Sequence, residues 1–114
     1  MSLADRQCVP CRGGVPPLPE ERARALLAEL GNGWAFNSAG HLEKAYSFAN
    51  FAEAMDFANR VTEIAEAQAH HPDLYIRWGQ CKVEIWTHKI AGLTESDFFL
   101  AAKLDKVWHL PGGA

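Results

Sequence analysis

Apolar residues recur along this chain with a helical period, then a strand period, and the two alternate to its end. Ala23, Leu26, Leu27 and Leu30 fall at i, i+3, i+4 and i+7, the stripe of an amphipathic helix. Pro19 suits its start, where a missing N–H is harmless, and Glu20 and Glu21 complement the helix dipole in the first turn. Gly31-Asn32-Gly33 ends it. Trp34 to Asn37 then reads as a short strand, joined through Ser38-Ala39-Gly40 to a partner from His41 to Phe48. Leu42, Tyr46 and Phe48 take one side of that partner; His41, Glu43 and Ser47 take the other.

Asn50 is a good N-cap for a longer helix from about Phe51 to Ala69, which Pro72 stops. Its apolar face holds Phe51, Met55, Ala58, Val61 and Ala65, widened by Phe57 and Ile64. Leu74 to Trp78 and Cys81 to Thr87 read as a second hairpin around Gly79-Gln80, with Cys81, Val83 and Ile85 alternating against Lys82, Glu84 and Trp86. Thr94 opens the last helix, with Asp97 three residues on as in a capping box. Leu100, Leu104, Val107 and Trp108 form its stripe, and Trp34 and Trp108 read as core.

The order α-β-β-α-β-β-α predicts an α+β fold: one four-stranded antiparallel sheet with three helices packed on one face. Residues 1–19, broken by Gly13-Gly14 and Pro16-Pro17-Leu18-Pro19, are expected to be an irregular arm; 20–110 a single domain; 111–114 a flexible tail. A length of 114 residues suits one domain. A formal net charge of -3 argues against direct nucleic-acid binding. No apolar run reaches the roughly 18–20 residues of a membrane span, and no signal-peptide core opens the chain, so a cytoplasmic protein with no membrane partner is expected. The odd set Cys8, Cys11 and Cys81 argues against a disulfide framework. Cys8-Val-Pro-Cys11 has zinc-pair spacing, but a structural site wants four ligands and no second pair exists, so two reduced thiols on a mobile arm is the plainer expectation.

The chemistry concentrates in His70-His71-Pro72 and His88. Imidazole exchanges protons near neutral pH, and no nucleophile or phosphate loop accompanies it, so proton transfer is the first expectation. Adjacent histidines at a helix end also complement the dipole without any catalytic role. Glu66 stands four residues before His70, where a carboxylate on the same helix face can orient the ring or simply be a surface charge. Pro72 fixes the turn that aims both imidazoles. Asp97 is expected chiefly to cap the last helix. Trp78 and Trp86 could offer a flat face to a planar ring. His41 and His109 read as surface residues. A metal held by His70, His71 and His88 is disfavoured, because sequence-adjacent side chains converge poorly on one ion.

Glu66-x3-His70-His71-Pro72-x5-Trp78-x9-His88-x8-Asp97 resembles the signature of the pterin-4a-carbinolamine dehydratases. Thr87-His88, Gly92-Leu93-Thr94, Asp97 and Leu100-Ala101 resemble the segment joining that family's last strand to its last helix, and Cys8-Val-Pro-Cys11 with Pro16-Pro17-Leu18 is similar to bacterial members. The resemblance implies loss of water from 4a-hydroxytetrahydropterin to give quinonoid dihydropterin, in the recycling of tetrahydrobiopterin used by aromatic amino acid hydroxylases. It implies a hydro-lyase with a small pterin substrate and neither metal nor cofactor. His70 and His88 are expected as acid and base in an unassigned order, and His71 as a pterin-holding residue. Glu66, Pro72, Trp78 and Asp97 are expected to bind substrate or support the site. A homodimer or homotetramer is implied too. The competing expectation is a non-enzymatic module on the same fold, either an assembly factor for a carbon-fixing enzyme or a transcriptional dimerisation cofactor. Keeping all three histidines favours the enzyme.

Overall fold

A computed structural model describes residues 2–9 and 16–108. Helix α1 spans Glu20–Leu30, strand β1 Ala35–Phe36, β2 Leu42–Ser47, α2 Phe51–Gln68, β3 Asp73–Arg77, β4 Gln80–Ile85 and α3 Glu95–Trp108. The sheet order is β1-β2-β4-β3, with every neighbouring pair antiparallel. The two hairpins therefore meet through β2 and β4, and β1 and β3 are the outer strands. Leu42, Lys44 and Tyr46 of β2 and Cys81, Val83 and Ile85 of β4 point to the helix side, as alternation requires. Glu43, Lys82 and Glu84 lie on the opposite, open face. This is the expected α+β architecture and element order.

Local details differ from the periodicity. β1 is two residues long, and β4 ends at Ile85; Thr87 instead makes an isolated bridge with Gly92, and His88–Ile90 form a 3-10 turn. The buried stripe of α2 is Ala54, Phe57, Ala58, Val61 and Ala65, whereas Phe51, in the first turn that Asn50 caps, is 48% exposed. The expected stop at Pro72 is also displaced. α2 ends at Gln68, where Ala69 enters the left-handed region (φ 51°, ψ 40°) and the His70 N–H bonds the Ala65 carbonyl at 3.1 Å. That six-to-one closure is a Schellman turn, with alanine where glycine is usual.

The stretch before α1 is anchored over its described residues 2–9. Leu3 is buried, and Lys103 Nζ of α3 donates to the Ala4 carbonyl at 2.7 Å. The Cys8 N–H bonds Gln68 Oε1 at 2.9 Å, and the Val9 N–H bonds Ser96 Oγ at 2.8 Å. Cys8 is thus a half-buried, held thiol, not a mobile one, and burial pushes it up to about 11. Cys11 and His109 lie outside the described residues, as does the 111–114 tail. Among the described residues no helix is long and apolar enough to cross a membrane.

One buried polar cluster crosses the core. Asp105 of α3 accepts from Lys44 Nζ at 2.7 Å, Tyr46 Oη at 2.6 Å and Trp34 Nε1 at 3.0 Å. The Lys44 ammonium also lies 4.5 Å from the Tyr46 ring centre and 5.2 Å from that of Trp108. Counter-charge and aromatic faces together replace water around it. Burial and the adjacent carboxylate push the Tyr46 phenol far above its ordinary range. Asp105→Ala strands an ammonium, a hydroxyl and an indole N–H at once. Breaking a buried pair this way is expected to remove about 3–5 kcal/mol of stability. Urea denaturation checks it; a midpoint equal to the parent's would refute it.

Candidate active site

The Schellman turn decides where the two adjacent histidines go. His70 leaves the helix axis at the left-handed residue and is buried, with Nε2 2.6 Å from Asp97 Oδ1. His71, one residue on, is 61% exposed, and its Nε2 pairs with Glu66. Glu66, read as able either to orient His70 or to be a surface charge, is 69% exposed and pairs with His71 instead. The i, i+4 rule holds only inside a helix, and His70 lies beyond this one's end.

Asp97 has 0% exposure and accepts from three segments. Its Oδ2 takes the Thr94 N–H at 2.8 Å and the Thr87 hydroxyl at 2.8 Å, while Oδ1 faces His70. The first of these is the reciprocal half of a capping box. Asp97 thus caps α3 and holds an imidazole at the same time; the expectation of capping as its main role understates it. A carboxylate only accepts, so the His70 tautomer that satisfies it carries hydrogen on Nε2 and leaves Nδ1 to exchange a proton.

Thr87 also fixes the backbone before His88. Its N–H bonds the Gly92 carbonyl at 2.8 Å, and Pro17 packs so tightly on Gly92 that a Cβ there would sit 2.9 Å from the proline's. The His88 ring is half-exposed, with Nε2 3.8 Å from Asp73 Oδ2. Asp73 opens β3 immediately after Pro72. One carboxylate, Asp97, therefore gathers His70 and Thr87, the immediate neighbours of His71 and His88. A hollow of about 120 Å³ beside α2 is lined by Val61, Ala65, Glu66, His71, Pro72 and Leu74. His70 and His88 do not line it, so the three rings share a corner of the fold but not one cavity. Among the described residues, no group of three His, Cys, Asp or Glu side chains is placed to hold a metal ion.

Trp78 stands apart. It occupies the β3–β4 turn, 71% exposed, about 16 Å along the strand from Asp73 at roughly 3.3 Å per residue. A cluster that sequence reasoning missed lies on the open face beside His88. The His41 ring stacks on Trp86 with centroids 4.1 Å apart and planes 6° apart, and its Nδ1 is 2.6 Å from Glu84 Oε2. Asn37 Nδ2 and Tyr75 Oη also donate to Glu84, at 2.8 and 3.1 Å. His41 is thus a half-buried, paired residue, not a free surface one. Burial tends to raise the Glu84 carboxyl, but the bonds from His41, Asn37 and Tyr75 outweigh it and hold it below its ordinary value. The available signal was parity: His41, Glu84 and Trp86 share the outward side, but only the β2–β4 register places them together.

A family model described as Pterin 4 alpha carbinolamine dehydratase matches residues 16–107. A protein from Rickettsia canadensis, provisionally named pterin-4-alpha-carbinolamine dehydratase, is 58% identical over 90% of this chain and 94% of its own length. One from Rubrobacter xylanophilus with the same provisional name is 51% identical over 92% of this chain and 97% of its own. Among solved structures, that of a transcriptional coactivator/pterin dehydratase from Brucella melitensis superposes with a TM-score of 0.74 at 26% identity, covering 80% of this chain and 97% of that one.

Ala69→Gly is expected to stabilise the protein by about 0.5–1 kcal/mol, the left-handed strain relieved less the extra unfolded-state entropy of glycine. Chemical denaturation reads the gain, and an unchanged or lower midpoint would contradict it. The depressed Glu84 carboxyl adds stability that is present above its unfolded value, roughly 4.3, and is lost as pH falls through the lower folded value. Glu84→Gln should therefore lose less stability than the parent between about pH 5 and pH 3. Urea midpoints at the two pH values test this, and equal losses would count against the assigned bonds.

Proposed function

Because the chain belongs to the pterin 4 alpha carbinolamine dehydratase family, we propose that it removes water from 4a-hydroxytetrahydropterin, with His70 and His88 as its proton-transfer pair. The observation that carries this reading is the buried Asp97 carboxylate on His70 Nε2, at 2.6 Å. Besides capping α3, this fully buried carboxylate fixes the ring and tautomer of one imidazole, the arrangement an acid–base centre uses.

The chemistry is undemanding. The N5 lone pair expels the 4a-hydroxyl, forming the C4a–N5 double bond; the hydroxyl leaves as water once protonated, and N5 gives up its proton. The product is the quinonoid dihydropterin, and the step belongs to recycling of the tetrahydropterin spent in hydroxylation reactions. We assign His70 as the base at N5, through Nδ1. Asp97 supplies an immediate counter-charge for the imidazolium formed there. His88, open to solvent beside Asp73, is the acid that protonates the hydroxyl. His71, Glu66 and Pro72 border the hollow that receives one edge of the pterin. The reading carries a homo-oligomer, for which the outer strands β1 and β3 offer unpaired backbone edges.

His70→Ala and His88→Ala are each expected to lower kcat by about 10²–10⁴, the usual worth of a positioned acid or base. Substrate generated in place and followed by its ultraviolet absorbance provides the measurement. No acceleration over buffer by the parent would sink the activity. Parent-like rates in both variants would sink the residue assignment alone.

A further inference from the structure

Two histidines touch the indole of Trp86. His41 lies flat on it, and His88 meets it steeply, with centroids 4.0 Å apart and planes at 74°. The indole N–H donates to Asp73 Oδ2 at 3.2 Å. That same oxygen is 3.8 Å from His88 Nε2, an ion-pair distance beyond hydrogen-bond reach. Trp86 therefore reaches His88 twice, directly through its ring and indirectly through the carboxylate it orients.

His88 needs such a support. It begins an exposed 3-10 turn just past β4, where an imidazole has several open rotamers. Trp86 is itself braced from behind. His41 covers it face to face, Glu84 holds His41, and Asn37 and Tyr75 hold Glu84. A π-face already covered by His41 is not available on that side to a planar substrate.

We propose that Trp86 is a positioning residue for His88, and that His41 with Glu84 locks Trp86 in place. The proposal rests on the reading of His88 as a proton-transfer residue. It extends that reading outward from the histidine motif to three residues on the open face of the sheet. Trp86 sets the angle at which His88 meets the substrate and keeps Asp73 turned toward it. Misplacing a reacting group by about 1 Å can cost on the order of 10²-fold in rate.

A double-mutant cycle tests it. Trp86→Ala is expected to lower kcat by about 10- to 100-fold with a smaller change in KM. Because Trp86 acts through His88, Trp86→Ala together with His88→Ala should be no slower than His88→Ala alone; losses that multiply would overturn the proposal. Trp86→Phe, which keeps a ring but no N–H, should fall between the parent and Trp86→Ala. If Trp86→Ala does not fold, His41→Ala carries the cycle: a smaller loss that also vanishes in the His88→Ala background supports the proposal, and one that persists there overturns it. Proton NMR of the substrate-free protein gives a second readout. The His88 ring protons should carry an indole ring-current shift that Trp86→Phe reduces and Trp86→Ala abolishes, or that His41→Ala weakens. His88 resonances indifferent to these changes would overturn the proposal. Should His88→Ala keep the parent's activity, the role of His88 fails instead, and the NMR readout still decides whether Trp86 positions it.

Discussion

The geometry of this protein depends on a single buried carboxylate. Asp97 sits where the end of α2, the end of β4 and the start of α3 come together, and it bonds something from each: His70, Thr87 and the Thr94 N–H. Removing the carboxylate takes an acceptor from all three at once, and leaves the Thr87 hydroxyl only its 3.2 Å contact with Thr94 Oγ1. The carboxylate also couples the cap of a helix to the orientation of an imidazole. The helix cannot fray at its first turn without releasing the histidine. Asp105 plays the matching part elsewhere in the core. It lies eight residues further along α3, about 12 Å at 1.5 Å per residue, and gathers Lys44, Tyr46 and Trp34. One helix thus supplies both of these buried carboxylates.

The fold was legible because its signals are local. Alternation in Cys81, Val83 and Ile85, the helical stripe of Leu26 and Leu30, and the Asn50 cap each speak for themselves within a few residues. The apolar stripe of α2 was read with Phe51 in it, and the helix was extended to Ala69. Neither error disturbed the topology. The exact stop depended on an alanine accepting a left-handed conformation, which composition disfavours and tertiary bonding imposed.

The site was legible as a list of residues but not as a set of pairs. Glu66, weighed as a support for His70 or as a surface charge, is exposed and serves His71, because the pairing turned on one residue of helix length. Trp78 fits the spaced pattern, yet strand geometry carries it to the far end of the hairpin. His41 and Glu84 escaped notice because they are 43 positions apart and meet only through the β2–β4 register. Sequence spacing reveals neighbours on one element; partners across a sheet emerge only once the strands are aligned.

The clasp between Ala4 and Lys103 joins positions 99 apart and bears on how the molecule is made. A segment synthesised early has its docking surface on the last helix. It must wait, uncommitted, while the intervening chain is produced at about 5–20 residues per second. During those seconds Leu3 has no final place to hide. Docking of the Leu3–Asp5 turn therefore follows the making of α3, and this clasp closes later than contacts between elements that are neighbours along the chain, such as β3 and β4.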